Sequence, residues 1–295
     1  MRIALTGASG FIGSVIARRA HAADHQVTAL VRPTSRMDHI RPFVDRFVTG
    51  QQDDESAWPE FLQDADVVVH CSVDWTPIRA KDPATHLRTN LLSSINLLYA
   101  SSPRQFIYIS SIAVHHDMRP RWHGQIDEDH PLRPSSLYGA LKASVEAHLW
   151  HAHFADNRHT CAVRPCAVYG IDPALDRSIG YPIINDIKTK QAYARAGGGK
   201  FVHVDDVALA VINAIDNPSA SGRAYNLADT YARWADLAVM ASDILDIKAD
   251  IDLSSPPHPK NHFTKDAAHS LGVALDRGHD GLRDHIQNLI SVMNK

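Results

Sequence analysis

The sequence predicts an α/β chain, a doubly wound parallel sheet with a smaller lobe at its C-terminal end. Short apolar runs at residues 2–6, 27–31, 44–48, 66–72, 105–110 and 160–164 alternate with helical patterns. Such alternation gives a parallel sheet with helices on both faces. Asp66–Cys71 and Gln105–Ser110 are apolar almost throughout, as strands buried on both faces are. After Gly170 the pattern gives way to turn residues and short helical segments. The expected division is a first domain over 1–170 and a smaller lobe over 171–295, with segments around 201–228 returning to the first domain. Ser254–Pro259 reads as a local breaker, since helical pattern resumes from Thr264.

The first run, Arg2–Leu5, leads directly into Thr6-Gly7-Ala8-Ser9-Gly10-Phe11-Ile12-Gly13 and then a helical pattern over 14–20. This is strand, glycine turn, helix. The glycines allow a tight turn and close approach of backbone N–H groups to a pyrophosphate, which the helix N-terminus attracts. Gly7, Ser9, Gly10, Phe11, Ile12 and Gly13 are therefore candidate dinucleotide ligands. The second run ends on Val31-Arg32, where NAD-binding chains carry an acidic residue for the ribose hydroxyls. A guanidinium suits phosphate, and Ser35 and Arg36 follow closely, so NADP(H) is favoured over NAD(H). Ligands of such sheets bind at the carboxyl ends of the strands. That edge collects Gly7–Gly13, Val31-Arg32, Cys71-Ser72-Val73 and Ser110-Ser111.

Tyr138-Gly139-Ala140-Leu141-Lys142 places a phenol and an ammonium four residues apart, on one helix face. The ammonium would favour the ionised phenol and turn it into a usable acid or base. The pattern gains meaning from its context, the glycine turn upstream and Ser110-Ser111 at the end of an apolar run.

With 295 residues, 44% of them hydrophobic, and a net charge of −3, a soluble globular protein is expected. No basic block points to nucleic acid, no apolar run reaches membrane-spanning length, and no signal segment precedes the first strand pattern, so the cytoplasm is the expected location. Cys71, Cys161 and Cys166 lack metal-ligand spacing and read as buried thiols of a reducing compartment. His148 and His151 share a helix face with His153 off it, but no acidic or cysteine partner stands nearby, and no metal is expected. His115, His116 and His123 line a cleft or face water. Trp75, Trp122 and Tyr181 are either apolar cleft walls or core. Apolar helix faces around 86–100 and 140–154 either pair across a two-fold axis in a homodimer or pack on the sheet.

Taken in order, several motifs resemble the extended short-chain dehydrogenase/reductases, the group that includes nucleotide-sugar epimerases, dehydratases and dihydroflavonol reductases. They are Thr6–Gly13, Asn90 within Thr-Asn-Leu-Leu, Ser110-Ser111-Ile-Ala-Val, Tyr138–Lys142, Arg164–Gly170 and Phe201–Val207. The resemblance implies a Rossmann-type sheet with a C-terminal substrate-binding lobe, Tyr138 as general acid or base, Lys142 as its modifier and a ligand of the nicotinamide ribose, and Ser111 holding the substrate oxygen. It further places Asn90 near the active-site face, Cys71, Ser72 and Val73 along the cofactor, and Pro165 and Cys166 at its nicotinamide end.

The departures narrow the expected reaction. Gly50-Gln51 stands where relatives have Gly-Asp, so the Gln51 amide would replace a carboxylate at the adenine. Ile112-Ala113 replaces the Asp-Glu that dehydratases use, and neither can move a proton. Ala167 replaces an asparagine, and Gly199 a basic residue, that hold a sugar diphosphate in epimerases, although Lys200 follows; Asp127–Leu132 retains the look of the sugar-modifying branch. The expectation is an NADP-dependent oxidoreductase for a small, sugar-like or hydroxylated carbonyl or alcohol. A sugar or nucleotide-sugar epimerase is the alternative, and a non-catalytic dinucleotide sensor the alternative of another class.

Overall fold

Seven strands form one parallel sheet in the computed structural model, which describes residues 1–116 and 125–294; Trp122 and His123 lie outside them. The strands are β1 Arg2–Thr6, β2 Gln26–Val31, β3 Arg46–Thr49, β4 Val67–His70, β5 Gln105–Ile109, β6 Thr160–Pro165 and, later in the chain, β9 Arg223–Leu227. Their order across the sheet is β9-β6-β5-β4-β1-β2-β3. The winding therefore reverses between β1 and β4, and that reversal opens the crevice where such sheets bind ligands.

Alternation along each strand sends successive side chains to opposite faces. Ile3, Leu5, Val67 and Val69 join one core with Ile16 of helix α1 (Phe11–Ala22) and with Val207 and Val211. Ala4, Val68, Phe106 and Tyr108 join the other, with Leu97 of α2 (Ser93–Ala100) and Leu141 and Val145 of α3 (Leu137–Phe154). Burial on both faces explains why these strands are apolar throughout.

Past β6 the chain leaves the sheet. β7 Ala167–Tyr169 pairs parallel with β8 Gly198–His203, and β8 pairs antiparallel with β10 Thr230–Arg233. Helices α4 Tyr181–Lys190, α6 Trp234–Leu245 and α7 Gly278–Met293 pack a third core, around Tyr169, Ile183, Ile187, Phe201, Leu237 and Ile286. Tyr181 packs against this core, so the core reading of that residue applies. Between them, α5 Val204–Ala214 covers the large sheet beside α1, and β9 completes its edge.

No helix among the described residues is long and apolar enough to cross a membrane.

Candidate active site

The glycine turn builds one end of a cavity of about 930 Å³ at the sheet reversal. Gly10 N donates to Gly7 O at 2.9 Å, closing the turn. A Cβ on Gly13 would stand 2.1 Å from the Gly7 carbonyl oxygen, so only glycine lets α1 start this close to β1. No side chain caps the N-terminus of α1 and no acidic residue occupies its first turn, which leaves its N–H groups for an anion. Thr6 Oγ1 accepts from Cys71 N, Ser72 N and Ser72 Oγ at 3.1, 3.2 and 3.1 Å, tying the ends of β1 and β4 together. Thr6 Oγ1 also lies 2.8 Å from His70 Nδ1, and His70 Nε2 lies 2.8 Å from Ser94 Oγ. Ser94 donates to Asn90 O, so His70 donates through Nε2 and accepts the Thr6 proton at Nδ1. Burial, reinforced by the Lys142 charge, brings His70 down to about 3 and keeps it neutral.

At the other end stand Tyr138, Ser111 and Lys142. Ser136 caps α3 by accepting from Gly139 N at 3.0 Å, which fixes the first turn that carries Tyr138. A Cβ on Gly139 would meet the Ala113 carbonyl oxygen at 2.2 Å, so glycine brings the helix against the turn after β5. Lys142, one turn further, is 2% exposed, donates to Ile109 O at 2.6 Å and lies 5.6 Å from the Tyr138 ring centroid. Ser111 Oγ accepts from Ala113 N at 3.1 Å and donates to Pro165 O at 3.4 Å. Trp75, 45% exposed, stacks on Tyr138 with centroids 5.0 Å apart.

Burial pushes the Tyr138 phenol up to about 12, with a hydrogen bond to Ser111 pulling the other way. Burial brings the Lys142 ammonium down to about 8. The expectation of a phenol lowered by Lys142 is thus not met: the ammonium is directed to the Ile109 carbonyl, and desolvation of the phenolate dominates.

Behind Ser111 lies a fully buried ion pair. Arg164 Nη2 donates to Glu146 Oε2 at 2.6 Å and Arg164 Nε to both carboxylate oxygens at 3.1 Å. Ser110 donates to the same carboxylate. Arg164 Nη1 donates to Glu128 O at 3.2 Å and to His115 Nε2 at 3.3 Å. His115 lines the cavity, and burial brings it down to about 4, so its imidazole is neutral.

Residues 3–228 match the model of the NAD dependent epimerase/dehydratase family. The chain belongs to that family. It is 29% identical over 238 residues to a 4-hydroxy-2-methyl-3-oxo-4-farnesyl-3,4-dihydroquinoline-1-oxide ketoreductase of Stigmatella aurantiaca, covering 78% of this chain and 68% of that protein. It is 26% identical over 314 residues to the cinnamoyl-CoA reductase CAD2 of Medicago truncatula, covering 97% and 95%. Its fold is similar to that of a UDP-glucose 4-epimerase of Thermotoga maritima solved with UDP-glucose, at TM-score 0.80 and 18% identity over 99% of this chain and 100% of that one. Relatives of the family are NAD(P)-dependent reductases, dehydratases and epimerases, and this chain is an oxidoreductase-type enzyme of that superfamily.

In this enzyme the cavity brings together Gly7, Ser9, Gly10, Phe11, Ile12, Gly13, Arg32, Gln51, Cys71, Ser72, Val73, Ser111, Tyr138, Lys142, Pro165 and Cys166. Arg36 and Asn90 do not line it. Arg32 N donates to Ser35 Oγ at 3.1 Å and Ser35 N to Arg32 O at 2.9 Å, a turn that sends Ser35 inward and leaves Arg36 exposed. Asn90, 2% exposed in a one-turn π-helical segment, accepts from Asp74 N at 2.8 Å and donates to Asp74 O at 2.9 Å. It clamps the loop that lays Trp75 over Tyr138. Cys71 and Cys166 are half-buried cavity residues, Cys161 is buried, and all three thiols are free. Sequence reasoning passed over Asp53, Arg79 and Arg177 on the cavity wall; the carboxylate sought directly after Gly50 stands three positions on, at Asp53. His148 Nδ1 and His151 Nδ1 lie 2.9 and 3.5 Å from Tyr99 Oη. Among the described residues no cluster of His, Cys, Asp and Glu is placed to hold a metal.

Proposed function

We propose that this enzyme is an NADP-dependent carbonyl reductase acting on small carbonyl compounds, with the reverse oxidation available in principle. The observation that carries the reading is Tyr138 beside Ser111 and Lys142, in one cavity with an uncapped helix N-terminus. When bound, the cofactor would supply a hydride to the carbonyl carbon. Gly7, Ser9, Gly10, Phe11, Ile12 and Gly13 would hold its pyrophosphate, Gln51 and Asp53 would meet its adenine, and Cys71, Ser72, Val73, Pro165 and Cys166 would line the remainder. Ser111 turns its hydroxyl to the substrate oxygen, and Tyr138 delivers the proton there as carbinol forms. Lys142 stabilises the phenolate left behind, while Trp75 keeps water off the phenol face.

Cofactor choice rests on Arg32 and Ser35, with Ser9 Oγ donating to Ser35 Oγ at 3.3 Å at the tip of β2. A guanidinium and hydroxyls at this point suit a 2′-phosphate and leave the ribose diol of NADH without a carboxylate. Following nicotinamide absorbance with a panel of aldehydes and ketones should show NADPH consumption and a kcat/KM at least about tenfold above NADH. Arg32→Ala should raise the KM for NADPH by about tenfold with little change for NADH. A preference for NADH, or an equal effect of Arg32→Ala on both, contradicts the cofactor assignment. Three free thiols fit the reducing cytoplasm as the place of work.

A further inference from the structure

β8 runs beside β7 with Phe201 opposite Ala167. Phe201 is fully buried in the core of the lobe, so Lys200, one residue earlier, points to the other side of the strand, onto the cavity wall. The same register sets Lys200 level with Cys166, and the two side chains are near enough to influence each other's titration. Cys166 follows Pro165, the residue whose carbonyl accepts from Ser111. A cation is thus delivered beside the segment that supports the reacting oxygen.

That cation has no ion-pair partner among the described residues, although it is half-buried. Its contact is the face of Phe263, 5.5 Å from the ring centroid, and Phe263 lies against His115 with centroids 5.9 Å apart. Asp53, Asp74 and Asp172 also line the cavity; Asp74 accepts from Thr76 N at 2.9 Å and Asp172 from Ala174 N at 2.7 Å, and none of the three forms an ion pair with Lys200. Arg79 and Arg177 line the same cavity and likewise have no ion pair among the described residues. Withdrawing an ammonium from water is unfavourable unless an opposite charge meets it. Positive charge left unpaired on the wall of a substrate cavity is complementary to an anion brought in by the substrate.

We propose that Lys200 is a specificity-determining residue that binds an oxyanion, a carboxylate or phosphate carried by the carbonyl substrate itself, so that acidic carbonyl compounds are selected over neutral ones of similar size. This rests on the reading of the cavity as a site of carbonyl reduction. Lys200 and His115 both line the cavity, and Phe263 packs against each of them.

Matched substrate pairs test it: succinic semialdehyde against its methyl ester for a carboxylate, and glyceraldehyde phosphate against glyceraldehyde for a phosphate, each with NADPH. The acidic member of at least one pair should have a kcat/KM at least about tenfold higher, and the pair that shows it identifies the anion. Lys200→Met should collapse that ratio to within about twofold of unity, and Lys200→Arg should keep most of it. Calorimetry of succinate and of inorganic phosphate binding to the NADP-saturated protein supplies a readout free of turnover. Lys200-dependent binding of either anion without reduction of any aldehyde sustains the subsite and overturns the reductase reading. Equal turnover of acidic and neutral members, with no dependence on Lys200, overturns the subsite and leaves the reductase reading standing. Absence of both turnover and anion binding overturns both.

Discussion

Replacing Tyr138 by Phe is expected to lower kcat for carbonyl reduction by about 10²–10⁴-fold, the range general acid catalysis supplies, while leaving the dissociation constant of NADPH within about threefold of the parent. The substitution removes only the phenol hydroxyl. The Phe ring can keep the stack with Trp75, whose centroid lies 5.0 Å away, and Lys142 keeps its bond to Ile109 O, so the site retains its shape. Because burial pushes the phenol up to about 12, the role proposed for the lost group is that of a proton donor. The deficit should therefore persist across the neutral range. Steady-state kinetics beside a fluorescence titration of NADPH would check both halves; near-normal kcat in Tyr138→Phe would remove Tyr138 from the chemistry.

The largest effect on stability is expected at Glu146. Its carboxylate is fully buried, takes three hydrogen bonds from Arg164 and a fourth from Ser110, and sits behind the strand end that presents Ser111. Glu146→Ala leaves the Arg164 guanidinium, 1% exposed, without its counter-charge. Breaking a buried pair from one side costs about 3–5 kcal/mol, and chemical denaturation should register a loss of that size. Removing both charges with Glu146→Leu and Arg164→Met should cost clearly less than the sum of the single changes, since no charge then remains unpaired. A loss below about 1 kcal/mol for Glu146→Ala would mean that the pair does not hold this part of the core.

Local spacing is what made much of the site readable. Thr6–Gly13 and Tyr138–Lys142 are short segments whose geometry follows from one turn and one helix, and the structure brings both, with Ser111, to one cavity. The seventh strand, Arg223–Leu227, and the small sheet of β7, β8 and β10 had no comparably strong apolar signature, because their partners come from distant parts of the chain. Contacts that depend on such pairing were equally hidden. Lys200 reaches the cavity through its register with Cys166, and Asn90 acts through the loop that carries Trp75, a role its own neighbours in sequence do not announce. The direction of the Tyr138 shift is a property of burial, which four-residue spacing cannot encode.

The most direct measurement is transfer of label from NADPH carrying deuterium at the reactive nicotinamide carbon, on each of its two faces in turn, to a carbonyl substrate, followed by mass spectrometry of the product. Reduction with Tyr138 as proton donor predicts an alcohol with one deuterium bound to the former carbonyl carbon for one of the two labelled cofactors, formed in step with the loss of nicotinamide absorbance. Conversion of a substrate with no net loss of that absorbance and no label in the product would contradict it, and would assign the cavity to epimerisation instead.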